Sequence, residues 1–173
     1  VKNNSNNYTS FFNYSIASRA PNPSELFSEG LHHSSARIEL GDLRFKSEIG
    51  HKFSYTFQRN EETFTMSINP YYNIITDFMI LEPTSIQTSI RGSYQVWEYR
   101  QTNANLFGLD IDATIALSKK ISFNHKSSIV KGYDRILKIP LINMPPVNTQ
   151  NEIIYENKNF KNLKINDWRS EEM

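Results

Sequence analysis

From residue 48 the chain alternates. Ile49, His51, Phe53, Tyr55 and Phe57 fall on one side of an extended strand, and Glu48, Gly50, Lys52, Ser54 and Thr56 on the other. A period of two marks a strand with one apolar and one polar face. A polar turn over 58–63 follows, and then Phe64, Met66, Ile68, Pro70 and Tyr72 alternate against Thr65, Ser67, Asn69 and Tyr71, which predicts a hairpin. Pro70 lies inside that strand pattern, and because proline cannot donate to the ladder a local bulge is expected there.

The longest regular stretch runs over 99–117, where Phe107, Leu109, Ile111, Ala113, Ile115 and Leu117 oppose Gly108, Asp110, Asp112, Thr114 and Ala116. Strands of soluble proteins usually have about 5 to 6 residues, and this one is roughly three times longer. Further strands are predicted over 8–17, 121–133 and 150–155. The expected connections alternate in length: long over 17–45, 82–95 and 134–149, short over 58–63, 118–120 and 157–161. Long loops at one end and short turns at the other, with apolar and polar faces, form the layout of a barrel that crosses an outer membrane. The fold class expected is therefore all-β, an antiparallel transmembrane β-barrel. Tyr and Phe near strand ends would supply the interfacial girdles. The competing arrangement is a soluble antiparallel sheet with one wet face, for example a β-rich surface binding or structural domain.

Composition narrows the choice of function. The 173 residues carry a formal charge of +1, which gives no one-signed field for nucleic acid. There is no cysteine, so disulfides, thiolate metal sites and cysteine nucleophiles are excluded. Aromatic residues make up 13% of the chain against 38% hydrophobic, a balance that suits sheet over a helical core. No apolar run approaches the ~18 residues of a membrane helix. No phosphate loop, GxSxG or HExxH is present, and no enzyme is expected. Asp110 and Asp112 share a strand face and read as lumen-facing polar residues.

The segment with least periodicity carries the most specific motif. Arg19-Ala20-Pro21 is followed by Glu25-Leu26-Phe27, Gly30, His32-His33, Glu39-Leu40-Gly41-Asp42-Leu43 and Glu48. This order resembles the barrel signature of TonB-dependent outer-membrane receptors, in which an arginine-alanine-proline box on an outer loop precedes an asparagine-proline-asparagine-leucine box. Here the second box reads Leu40-Gly41-Asp42-Leu43, keeping the leucine and losing the proline. The stretch 99–110, and Val130-Lys131-Gly132-Tyr133 followed by Leu141 to Pro146, are similar to two later segments of the same barrels.

The resemblance implies an outer-membrane receptor that binds and imports a scarce nutrient such as a ferric siderophore or haem, energised through TonB. It implies a barrel of twenty-two strands and a plug domain. Six or seven predicted strands cannot close, so residues 1–173 are expected to be part of a barrel domain with the plug and remaining strands absent. Partners implied are TonB, outer-membrane lipid and a small iron-containing ligand, in a bacterial outer membrane. No resident cofactor is implied, haem or an iron chelate being cargo.

Candidate ligand-binding residues on the outer loop are His32, His33 and Arg37. In haem receptors of this kind a histidine between the two boxes is an axial ligand, the position of His33 or His32, and His33 is the candidate haem ligand. Structural or plain loop use is the preferred reading of both histidines, and haem or metal contact is the alternative. Arg19, Pro21 and Glu25 are candidates for fixing the loop, with Arg19 paired to Glu25. His51 and His125 are expected to bond strand neighbours.

Overall fold

A computed structural model describes residues 2–5, 7–32, 34–90 and 92–156. The predicted turn over 157–161 lies outside them. The chain forms one sheet from β1 (Lys2–Ser5), β2 (Tyr8–Arg19), β3 (Glu29–His32), β4 (Arg37–Leu40), β5 (Glu48–Asn60), β6 (Phe64–Ser89), β7 (Gly92–Ala116), β8 (Ile121–Asp134), β9 (Ile139–Pro140) and β10 (Asn148–Tyr155). A short helix, α1 (Pro23–Phe27), precedes β3. The main path β1-β2-β5-β6-β7-β8-β10 is antiparallel throughout, and it is open, with β1 and β10 at its ends.

Register turns the sequence alternation into two continuous faces. Tyr14, Phe53, Tyr72 and Phe107 lie in one row across four strands, and Ser10, Phe57, Ile68 and Ile111 in another. Phe64, Ile115, Phe123 and Ile153 extend this apolar face to β10. The opposite face carries the rows Ser67, Asp112, Lys126, Gln150 and Asn69, Asp110, Ser128, Asn148. A slip of one residue in any pair would turn its apolar set to the polar side, so the pattern itself specifies the register.

Aromatics run along the apolar face of β2 and β5, with Phe12 opposite Tyr55 between the two pairs that follow. Tyr8 meets Phe57 at 5.8 Å near the short turns, and Tyr14 meets Phe53 at 4.9 Å near the long loops. Counted from the short turns, Arg19 is the twelfth and last residue of β2 and Glu48 the thirteenth of β5, so both stand at the rim where the long connections collect.

The polar face has its own close fit. Gly108 lies opposite Tyr71, and a Cβ on Gly108 would run into the Tyr71 ring, which also carries Lys52 Nζ 4.5 Å above it. Gly108→Ala is expected to cost the fold about 1 to 3 kcal/mol by forcing the ring aside. In thermal unfolding of the full-length protein, the penalty should largely vanish when Tyr71→Ala is added; additive losses would refute the steric account.

Two expectations need correcting. Residues 82–95 are not a long loop: β6 and β7 continue as a paired hairpin to Ser89 and Gly92, so they stand as an arm beyond the rim. The alternation was interrupted because β6 bulges between Ile75 and Phe78, with Asp77 at φ 55°, and again between Pro83 and Ser85. Each extra residue resets which side chains face which way. Pro70, by contrast, is not at a bulge: it pairs in register with Leu109. Pairing with β5 lapses between Tyr71 and Ile68 without a shift of register, which leaves room for a residue with no N–H.

Candidate functional site

The rim where the long connections collect is organised by Arg19, the last residue of β2. Its guanidinium donates Nε and Nη2 to Glu48 at 2.9 Å each, and Nη1 and Nη2 to Glu25 at 3.0 Å each. Both carboxylates are buried while Arg19 stays half exposed. The hydrogen bonds to Glu48 and then to Glu25 raise the Arg19 pKa above its ordinary value. Glu48 also accepts the Met79 backbone N–H, which ties the root of the arm to the same cluster.

Local chemistry explains why Glu25 is where Arg19 needs it. Asn22 caps α1, its side chain accepting from the Glu25 N–H while Glu25 accepts from the Asn22 N–H at 2.7 Å, and Pro23 occupies the first helical position. The second box then docks on the helix. Gly41 donates its N–H to the Ser28 carbonyl and Asp42 to the Glu25 carbonyl. A Cβ on Gly41 would lie 2.7 Å from the Glu25 carbonyl oxygen, so the glycine is a packing requirement. Asp42 is held to about 2 by the Arg44 side chain and then by its backbone N–H.

Between the boxes β3 and β4 form a small hairpin, and β4 adds parallel to the arm strand β7. Arg37 sits on β4, donates to Glu39 at 2.7 Å and lies 4.9 Å over the Trp97 ring. His32 ends β3, is exposed, and has Ser35 and Ser34 hydroxyls at 3.0 and 3.1 Å from Nδ1. His33 lies outside the described residues. Pro21 is in the irregular, half-buried link between β2 and α1. Among the described residues no three His, Asp or Glu side chains converge as a metal cage.

A second network, which the sequence reading did not identify, sits at the end of β8. Asp134 is fully buried and accepts from Arg100 Nη2 at 2.7 Å, Thr102 Oγ1 at 2.8 Å, and the backbone N–H groups of Ile136 and Leu137. Arg100 also forks onto Glu82 across the arm. Burial raises the Asp134 pKa, but the Leu137 N–H, Arg100, Thr102 and the Ile136 N–H outweigh it and hold the group at about 2. Below this network Ile80, Ala104 and Leu141 form a small apolar cluster, with Leu141 and Met144 packed on Gly132. The 135–147 loop is thus fastened at the rim. The local signal was Asp134 directly before a turn, an acceptor for N–H groups two and three residues on.

The other singled-out residues lie on the strands. Tyr14 Oη and His51 Nδ1 are 2.8 Å apart, and His125 Nδ1 and Asn151 Oδ1 are 2.8 Å apart, both strand-neighbour contacts. Asp110 accepts from Ser128 at 2.7 Å and Asp112 pairs with Lys126 at 3.3 Å on the polar face.

No family model matches this chain, and no curated protein sequence does. Solved structures do. A copper transporter, OprC, superimposes with a TM-score of 0.72 at 18% identity, covering 88% of this chain and 22% of its own. The siderophore receptors PirA from Pseudomonas aeruginosa and from Acinetobacter baumannii give TM-scores of 0.60 and 0.61 at 11% and 13% identity. They cover 76% and 88% of this chain, and 27% and 25% of their own. The chain thus spans about a quarter of the length of these neighbours, and its sheet has the fold of the part of each that it covers.

Proposed function

We propose that this chain is part of the barrel of an outer-membrane receptor that binds a scarce nutrient at its outer loops and imports it. The observation that carries this reading is the register, which gathers apolar residues on one face and polar residues on the other across six neighbouring strands while long loops collect at one end. The fold shared with a copper transporter and two siderophore receptors supports it. The apolar face would meet lipid, the polar face would line the lumen toward a plug, and TonB would energise transport through that plug. The location that follows is a bacterial outer membrane.

The test is fractionation of the full-length gene product. It is expected in the outer-membrane fraction, resistant to alkaline extraction, and to migrate faster in SDS before boiling than after. Recovery from the aqueous phase without detergent would leave the soluble β-rich surface domain as the better account.

An iron-bearing small molecule, either haem or a chelate, is the cargo class we favour, with His33 as the candidate axial ligand and with His32 and Arg37, which pair across β3 and β4, as further ligand contacts. Neutral imidazole suits haem iron, and the guanidinium suits a carboxylate. Haemin titration of the full-length receptor should give a Soret shift that His33→Ala diminishes and His32→Ala leaves in place. A spectrum unchanged by His33→Ala removes the axial role.

A further inference from the structure

Near the outer rim the apolar face carries a recess of about 650 Å³. Tyr72, Phe107 and Tyr133 line it from the strands, and Pro140 and Met144 of the 135–147 loop border it. The three aromatics are between 38% and 50% exposed, so they wall an open hollow.

Two polar groups in this hollow lack partners. Lys131 lies in one row with Phe107 and Tyr72, eleven residues from the short turn, and is exposed with no ion pair or hydrogen bond among the described residues. An unpaired ammonium on an apolar face is stable at the membrane interface, where its stem lies along apolar surface and its head reaches outward. Asn105 lines the same recess, and its Oδ1 is buried without a hydrogen-bond partner. A buried acceptor left unmade costs free energy that a ligand donor would recover.

An apolar hollow, a free cation at headgroup height and an orphan acceptor together describe an amphiphile with an anionic head, an acyl chain and a donor between them. We propose that the recess seats one acyl chain of a phosphate-bearing lipid of the outer leaflet, with Lys131 on the phosphate and Asn105 Oδ1 accepting from a hydroxyl or amide of the same molecule. This inference rests on the barrel reading, because it requires the apolar face to meet lipid.

The experiment is native mass spectrometry of the full-length receptor in detergent with added diphosphoryl lipid A, its dephosphorylated form, or inorganic phosphate. Wild type is expected to retain diphosphoryl lipid A, to hold the dephosphorylated form about tenfold less well, and to retain no inorganic phosphate. Lys131→Ala should weaken retention of the diphosphoryl form about tenfold, the loss of one charge-assisted contact. Met144→Trp, which fills the recess without touching the charge, should weaken retention of both lipids. SDS mobility before and after boiling checks that each variant is folded. Retention unchanged in folded Lys131→Ala and Met144→Trp overturns the lipid site and leaves the barrel reading standing. A wild-type protein that never enters the membrane fraction overturns both.

Discussion

Arg19→Ala is expected to loosen the whole 20–47 segment while leaving the β2–β5 ladder beneath it intact. The guanidinium supplies four hydrogen bonds to two carboxylates, and its removal leaves Glu25 and Glu48 buried, close together and both negative. Removing one partner of a buried pair costs about 3 to 5 kcal/mol, and the half-exposed Arg19 brings this down to about 2 to 3 kcal/mol. Hydrogen exchange of the full-length receptor should speed up at Ser28 and Gly41 and across β3 and β4. Arg19→Lys should recover only part of the protection, since one ammonium cannot fork onto two carboxylates. Arg44→Ala, which breaks an exposed pair with Asp42, should change nothing measurable. Unaltered exchange in Arg19→Ala would mean that helix capping and the Gly41 contact hold the loop without the charge cluster.

That cluster accounts for what was legible in the sequence. The arginine-alanine-proline box, Glu25, the Leu40-Gly41-Asp42-Leu43 box and Glu48 were visible as an ordered motif, and Arg19 pairs with Glu25 as the sequence reading expected. Glu48 was visible as part of the motif but not as a second partner, because the pairing crosses between β2 and β5, 29 residues apart. The strands of the main path were readable for a physical reason: an apolar environment on one face and a polar one on the other impose a strict period of two.

Beyond the rim that constraint ends. At the root of the arm the neighbours Met79 and Ile80 are both buried, bulges shift the parity on either side of them, and the alternation disappears. Four-residue strands such as β3 and β4 carry too few positions for any period, and only their pairing with each other and with β7 defines them. Arg100 and Glu82 were invisible as a pair because 18 residues and a hairpin tip separate them.

Asp134 offers the sharper test of how the rim is built, because its partners come from three segments. Asp134→Ala removes the acceptor for Arg100, Thr102, Ile136 N–H and Leu137 N–H at once, and leaves Thr102 buried without its partner. The expected cost is about 3 to 5 kcal/mol, confined to the 135–147 loop and the arm root. Limited proteolysis should cut within 135–147 in the variant and spare the strands. Asp134→Asn keeps one oxygen for the turn N–H groups but loses the charge facing Arg100, so it should fall between. The charge also predicts a pH dependence. With the folded carboxyl held at about 2 against an ordinary 3.8, folding favours the ionised form. That contribution is complete above about pH 4 and is lost as pH falls through about 2, a change of about 2 kcal/mol. Loop cleavage by an acid-active protease should therefore rise in wild type as the pH is lowered from 4 to 2, and stay flat in Asp134→Asn. A wild-type profile as flat as the variant's would show that folding does not favour the ionised carboxyl, and would move the fastening of the loop from charge to the apolar contacts of Leu141 and Met144.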